Sequence, residues 1–480
     1  MGDSLKKKAV SGTIWSAIDR LSVQGVNFIL GLVIARLLDP SDYGIIAMIT
    51  LFITLSNVLV DSGFANALIR KNNRTETDNS TVFYFNVVIG IVVYVVIWFV
   101  SPYIARFYNM PLLDSVMKVT ALTVPLYSFS IVQQAILTIY IDFKSQAKVS
   151  VISALVSGLI GVFLAYNGVG VWSLSVQMVS AAFFRMVLLW LFIKWIPTKP
   201  FSKASFTELF SFGSKLLLAN MVVAIGRNIT TLILGKKLAP SQLGFYNRAE
   251  QIGYFPATNL TAVLQRVTFP VFSKMQDNRE NLRNNYLKVT EMTSILTFFA
   301  LGLLFAVAEP MIVSFLTGKW LPSVELLQIL ITGIVWWPFF ALNINVLQVV
   351  GLSKHVLIIE CIKATVNLVA ILMTVQMGVK AVCIALSTAA FLESFIYTYF
   401  TRKAIGVSWL CQFKVILPYV AASVVACAVG YVVIGLVDYQ WIKILLGGLV
   451  YTIIYGLIIY LSRRSEIKFL YATLKEMRQR

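Results

Sequence analysis

Apolar runs of about 18 residues or more recur along this chain from one end to the other. A helix of that length crosses a hydrocarbon core of ~30 Å. In lipid every backbone N–H and C=O must find a partner within the protein, so only helices and closed barrels span. The runs here are continuous rather than alternating, which selects helices. Composition agrees: 58% of the 480 residues are hydrophobic and 13% charged, against about a quarter charged in globular proteins. The chain reads as an all-α polytopic membrane protein. Fourteen spans are predicted, over 12–37, 42–68, 79–101, 116–140, 147–166, 170–194, 206–236, 243–271, 286–308, 322–350, 355–376, 379–401, 411–436 and 441–462. The connections are short, and no soluble domain is expected. The opening "MGDSLKKKAVSGTIW" carries no small-residue cleavage site and reads as an uncleaved entry to the first span.

The formal net charge of +19 does not call for nucleic acid, because Lys and Arg collect on cytoplasmic loops of membrane proteins. With the N-terminus inside, most of the 40 Lys and Arg fall at the cytoplasmic side, among them Lys6, Lys7, Lys8, Arg70, Lys71, Arg74, Lys199, Lys203, Arg279, Arg463 and Arg464. Far fewer, such as Arg106, Lys236, Lys237 and Lys319, fall outside. Both termini are therefore expected in the cytoplasm. Cys361, Cys383, Cys411 and Cys427 lie in apolar stretches without metal-ligand spacing and read as packed thiols. The single histidine, His355, lacks the partners a metal needs.

A short turn occurs twice. "RLLDPSDYG" (36–44) closes the first span and opens the second; "KKLAPSQLG" (236–244) closes the seventh and opens the eighth. Proline ends the preceding helix, and Ser41 and Ser241 are expected to cap the next one. Further echoes follow: "SPYI" (101–104) with "EPMI" (309–312), and "NGVGV" (167–171) with "MGVKA" (377–381). Residues 1–203 and 204–408 therefore read as two copies of a six-helix lobe. Residues 409–480 add two helices and a basic cytoplasmic tail. Six is even, so both copies keep one orientation, related by an axis along the membrane normal. Two facing lobes suggest a transporter with its site between them.

Four stretches carry a resemblance: "ARLLDPSDYGI" (35–45), "GVGVWSLSVQ" (168–177), "GFYNRAEQIGYFPATNL" (244–260) and "RVTFPVFSKMQDN" (266–278). The most specific is "YNRAEQ" followed closely by Pro256. The chain resembles the multidrug/oligosaccharidyl-lipid/polysaccharide flippase superfamily, in its bacterial Wzx-type exporter branch, and looks most like exporters of the colanic acid or teichuronic acid kind. The resemblance covers essentially the whole chain. It implies a non-enzymatic, multi-pass flippase of a bacterial inner membrane, moving an undecaprenyl-pyrophosphate-linked oligosaccharide by alternating access for exopolysaccharide or lipopolysaccharide biosynthesis. Other membrane proteins of polysaccharide assembly are the implied protein partners. No cofactor is implied, and a proton or sodium gradient is the expected drive. The rivals are a drug/cation antiporter of the same superfamily and, from another class, a membrane glycosyltransferase or polysaccharide polymerase. The short outer loops leave little room for the last.

Charges within spans are the candidate site, since each costs roughly 2.5–3.5 kcal/mol at a helix centre unless wet or paired. Arg20, Arg185, Lys215, Arg227 and Arg266 are the candidate substrate-binding cations. A guanidinium can grip pyrophosphate oxygens two at a time, and Arg227 and Arg20 rank first. Structural pairing competes with that role: Asp61 lies at a depth similar to Arg20, and Lys215 can snorkel. Asp19, Asp61, Glu360 and Glu393 are candidates for ion coupling or pairing. Glu360 and Lys363 share a helix face and are expected to pair locally. Intramembrane carboxylates such as Asp61 and Glu393 can exchange a proton.

Overall fold

The computed structural model describes residues 2–71 and 73–462. The basic tail over 463–480 and the side chains of Arg20 and Arg227 lie outside the described residues. Among the described residues the chain is helical throughout, with no strand. It divides into two compact units, residues 1–244 and 245–480.

The first unit holds α1 (Gly2–Leu37), α2 (Pro40–Asp61), α3 (Phe64–Arg70), α4 (Glu76–Tyr108), α5 (Pro111–Thr120), α6 (Thr123–Ser128), α7 (Ile131–Ile139), α8 (Phe143–Tyr166), α9 (Val171–Ile193) and α10 (Lys203–Lys237). The second is built from α11 (Pro240–Ser273), α12 (Arg279–Ala306), α13 (Ala308–Leu316), α14 (Pro322–Ile334), α15 (Trp337–Val349), α16 (Ser353–Thr374), α17 (Val379–Ile405), α18 (Trp409–Gly435) and α19 (Gln440–Ser462). Only the first turn of α11 belongs to the first unit.

Among the described residues eleven helical stretches are long and apolar enough to cross a membrane, or twelve if the bent pair across 111–139 is one span. The expected count of fourteen rests on α1 and α11, which do not meet that standard. Helix α11 fails through its own polar residues, Asn247, Arg248, Glu250, Gln251, Asn259, Gln265 and Arg266 among them.

The repeated turn forms differently from the expectation. Pro40 starts α2 rather than merely ending α1, with Asp39 as N-cap and the Asp42 carboxylate accepting from the Asp39 backbone N–H at 3.1 Å. Proline suits the first helical position because its missing N–H would have no partner there. Pro240 likewise starts α11. The other echo is a helix start: Gly170 (φ +64°) and Gly378 (φ +97°) immediately precede α9 and α17. Both adopt the left-handed region that glycine tolerates.

Within the first unit α10 packs along α2, α3 and α4. Glycines let the backbones approach: a Cβ on Gly63 would lie 2.6 Å from the Gly213 carbonyl oxygen, and one on Gly213 would lie 2.7 Å from that of Ser62. Phe64, Phe85, Phe206 and Phe210 fill the space beneath. At the loop after α3, Lys71 bridges the buried Asp78 and the exposed Glu208, 3.0 Å from each. In the second unit α18 and α19 pack on α12. The Tyr451 and Tyr455 hydroxyls donate to the Phe298 and Ile295 carbonyls at 2.7 and 3.0 Å, so α19 is fastened to α12 through backbone acceptors.

Candidate functional site

The first unit gathers three of the charges singled out by sequence. Asp19 on α1 lies near the Ser150 side chain of α8 and within electrostatic reach of Arg185. Arg185 on α9 donates from Nη2 to Gln134 Oε1 on α7 at 2.8 Å. Tyr127 on α6 lies within reach of both Arg185 and Asp61. Asp61, at the end of α2, accepts from the Ala65 backbone N–H at 3.3 Å and so fastens the start of α3. Arg185 is thus engaged inside its own unit. The proposed Arg20–Asp61 pair involves a side chain outside the described residues. Lys215 on α10 is exposed, with no hydrogen bond or ion pair among the described residues.

In the second unit Glu360 and Lys363 form the local pair, 4.0 Å apart. Tyr397 of α17 donates to Glu360 Oε1 at 2.9 Å, and the Lys363 ammonium sits 4.7 Å from the ring centroid of Trp337. Glu393 is only 2% exposed; it accepts from Asn367 Nδ2 at 2.7 Å and has no cation within ion-pair distance among the described residues. Arg185 and Glu393 occupy the same position counted from the starts of α9 and α17. The helices that follow Gly170 and Gly378 therefore carry opposite charges at equivalent points.

Helix α11 joins these groups to the remaining cation. One stripe runs through the buried Tyr246 and the half-buried Glu250 and Tyr254, spaced one turn apart as a single face requires. The Tyr246 hydroxyl donates to Glu250 Oε1 at 3.0 Å. Tyr254 packs edge-on against Trp337, 5.4 Å between centroids, and lies within reach of both Glu250 and Glu393. Glu250 was missed from sequence; the one-turn spacing within "YNRAEQIGY" was the available signal. Gln251, Phe255, Gln265 and Arg266 of the same helix are exposed, and Arg266 has no hydrogen bond or ion pair among the described residues. Polar groups at membrane depth belong against water, protein or a polar ligand, not lipid.

Elsewhere in the second unit a groove of about 780 Å³ is lined mainly by apolar side chains, including Phe298, Phe305, Val335, Trp336, Phe391 and Val424. Its lining holds hydroxyls such as Thr332 and Ser387 but no cationic side chain. Among the described residues no three His, Cys, Asp or Glu side chains come together as a metal site would require.

Comparison with known proteins gives the chain's family and fold relatives. Residues 33–325 match the family described as "Polysaccharide biosynthesis protein". The chain is 25% identical over 338 residues to the teichuronic acid biosynthesis protein TuaB of Bacillus subtilis (strain 168), covering 69% of each chain. It is 28% identical over 334 residues to the lipopolysaccharide biosynthesis protein WzxC of Escherichia coli (strain K12), covering 68% of this chain and 67% of that one. Its fold is similar to the lipid II flippase MurJ in an inward closed conformation, with a TM-score of 0.72, 16% identity, and 93% and 99% of the two chains covered.

Proposed function

Since the chain belongs to the polysaccharide biosynthesis protein family, we propose that this multi-pass membrane transporter carries a polyprenyl-pyrophosphate-linked oligosaccharide from the cytoplasmic to the outer leaflet. The observation that carries this reading is Arg266, an exposed guanidinium on a membrane-depth helix with no partner of its own among the described residues. A fixed cation without a counter-charge suits a polyanion such as pyrophosphate. Lys215 is an exposed cation of the first unit, and Arg227 and Arg20 stay candidates on their places in the sequence. Arg185, held by Gln134 and facing Asp19, supports the first lobe's structure. Exposed cations also count against the rival reading, export of cationic drugs, through like-charge repulsion.

Transport proceeds by rocking of the two repeated lobes, residues 1–203 and 204–408, with both termini in the cytoplasm. The drive is a proton or sodium gradient. Glu393 is the best placed group to sense it, being a buried carboxylate held by an amide rather than by a cation. Asp61, which is held by a backbone N–H, is the corresponding candidate in the first lobe. The test is a mass spectrum of lipid co-purified with the chain from a polysaccharide-producing host. A polyprenyl-pyrophosphate oligosaccharide is expected. Recovery of bulk phospholipid alone, with none of that lipid after in-membrane cross-linking, would contradict the reading.

A further inference from the structure

We propose that the exposed face of α11 reads the sugar chain of the substrate, with Arg266 at its phosphate end and Asn259, Phe255 and Gln251 along its sugars. The inference rests on the transport function proposed above and deepens it by naming residues that set specificity. All four side chains lie on one side of the helix, since steps of four, four and seven residues return to nearly the same face. From Arg266, Asn259 lies about 10 Å along the axis, Phe255 about 16 Å and Gln251 about 22 Å, at a rise of 1.5 Å per residue.

The chemistry changes along that line. At one end is a cation. Further on, Asn259 gives its N–H to the Phe255 carbonyl at 2.8 Å, which leaves its amide oxygen as an acceptor. Pro256, inside the helix, has no N–H to offer the Ile252 carbonyl. Phe255 is 46% exposed. The Gln251 oxygen is taken by Arg248 at 3.2 Å, which leaves its amide N–H groups as donors. Acceptors, donors and an aromatic face suit a hydroxyl-rich ring. They do not suit a phosphate, which only accepts, nor an alkyl chain, against which each unmet polar group costs several kcal/mol. The charge complementarity is equally directional, because only the Arg266 end answers an anion. In the proposed topology that end lies nearer the cytoplasm, where the pyrophosphate enters.

The test is native mass spectrometry of the purified full chain with two probes: undecaprenyl pyrophosphate, and the sugar-bearing lipid extracted from producing cells. Phe255→Ala and Asn259→Leu should each weaken the sugar-bearing lipid about tenfold and leave undecaprenyl pyrophosphate unchanged. Arg266→Ala should weaken both. Phe255→Tyr, which keeps the ring, should bind both as the native chain does and guards against a folding artefact. Equal weakening of both probes by Phe255→Ala and Asn259→Leu would overturn the proposal, as would no change in either, the result for a face covered by lipid. Failure of the native chain to bind either probe would instead overturn the transport function on which the proposal rests.

Discussion

Gly44 lies so close to Pro240 that a Cβ at the glycine would overlap the proline's carbonyl, and Gly244 stands in the same relation to Pro40. The two copies of the repeated turn therefore face one another reciprocally, each glycine against the other copy's proline. This gives the duplicated motif a physical purpose. Each glycine is kept small by a backbone atom that cannot move aside as a flexible side chain can.

Enlarging Gly44 should accordingly push the turns apart. Gly44→Ala is expected to cost about 1–3 kcal/mol by overpacking and to lower export. Gly31, on α1, has no neighbour within 4 Å. Gly31→Ala should be neutral, or stabilising by up to about 1 kcal/mol, because alanine favours a helix. Thermal unfolding of the two variants in detergent checks the contrast, and similar midpoints for both would count against a close contact at the turns.

Both turns should face the cell exterior. Ser41→Cys and Ser241→Cys are expected to react with an impermeant maleimide added to intact cells or spheroplasts. Labelling of one without the other would remove the parallel orientation of the two repeats.

Glu393 separates folding from coupling. Glu393→Gln keeps an acceptor for Asn367 and should leave protein abundance near normal while abolishing the response of transport to an imposed gradient. Glu393→Leu leaves the Asn367 amide without its partner, at a cost of about 1–3 kcal/mol. It should also lower abundance. Gradient-driven transport by Glu393→Gln at the native rate would show that this carboxylate carries no coupling.

The helical class was plain in the sequence because apolar runs of spanning length admit no other fold. The likeness of the two turns was visible too, through a proline-serine-glycine pattern with the same spacing in each. The reciprocal contact was hidden, since a turn's sequence does not say what it packs against. Helix α11 was harder to read. A helix was expected there, but its polarity serves two faces, and only the fold separates the half-buried Glu250 from the exposed Arg266. The surroundings of Arg185 were hidden as well, since Gln134 and Asp19 come near it from helices distant in sequence.

The central claim is movement of a lipid-linked oligosaccharide between leaflets. The direct measurement is reconstitution of the purified chain in proteoliposomes with a fluorescently tagged sugar-bearing lipid confined to one leaflet. Arrival in the other leaflet is followed by a membrane-impermeant quencher under an imposed proton or sodium gradient. The native chain should speed translocation at least about tenfold over protein-free vesicles, and Arg266→Ala should remove most of that gain, as expected for a charge-assisted contact of about 1.5–3 kcal/mol. Native-chain vesicles that show no more translocation than protein-free ones under either gradient, while the reconstituted chain still binds the tagged lipid, would contradict the claim.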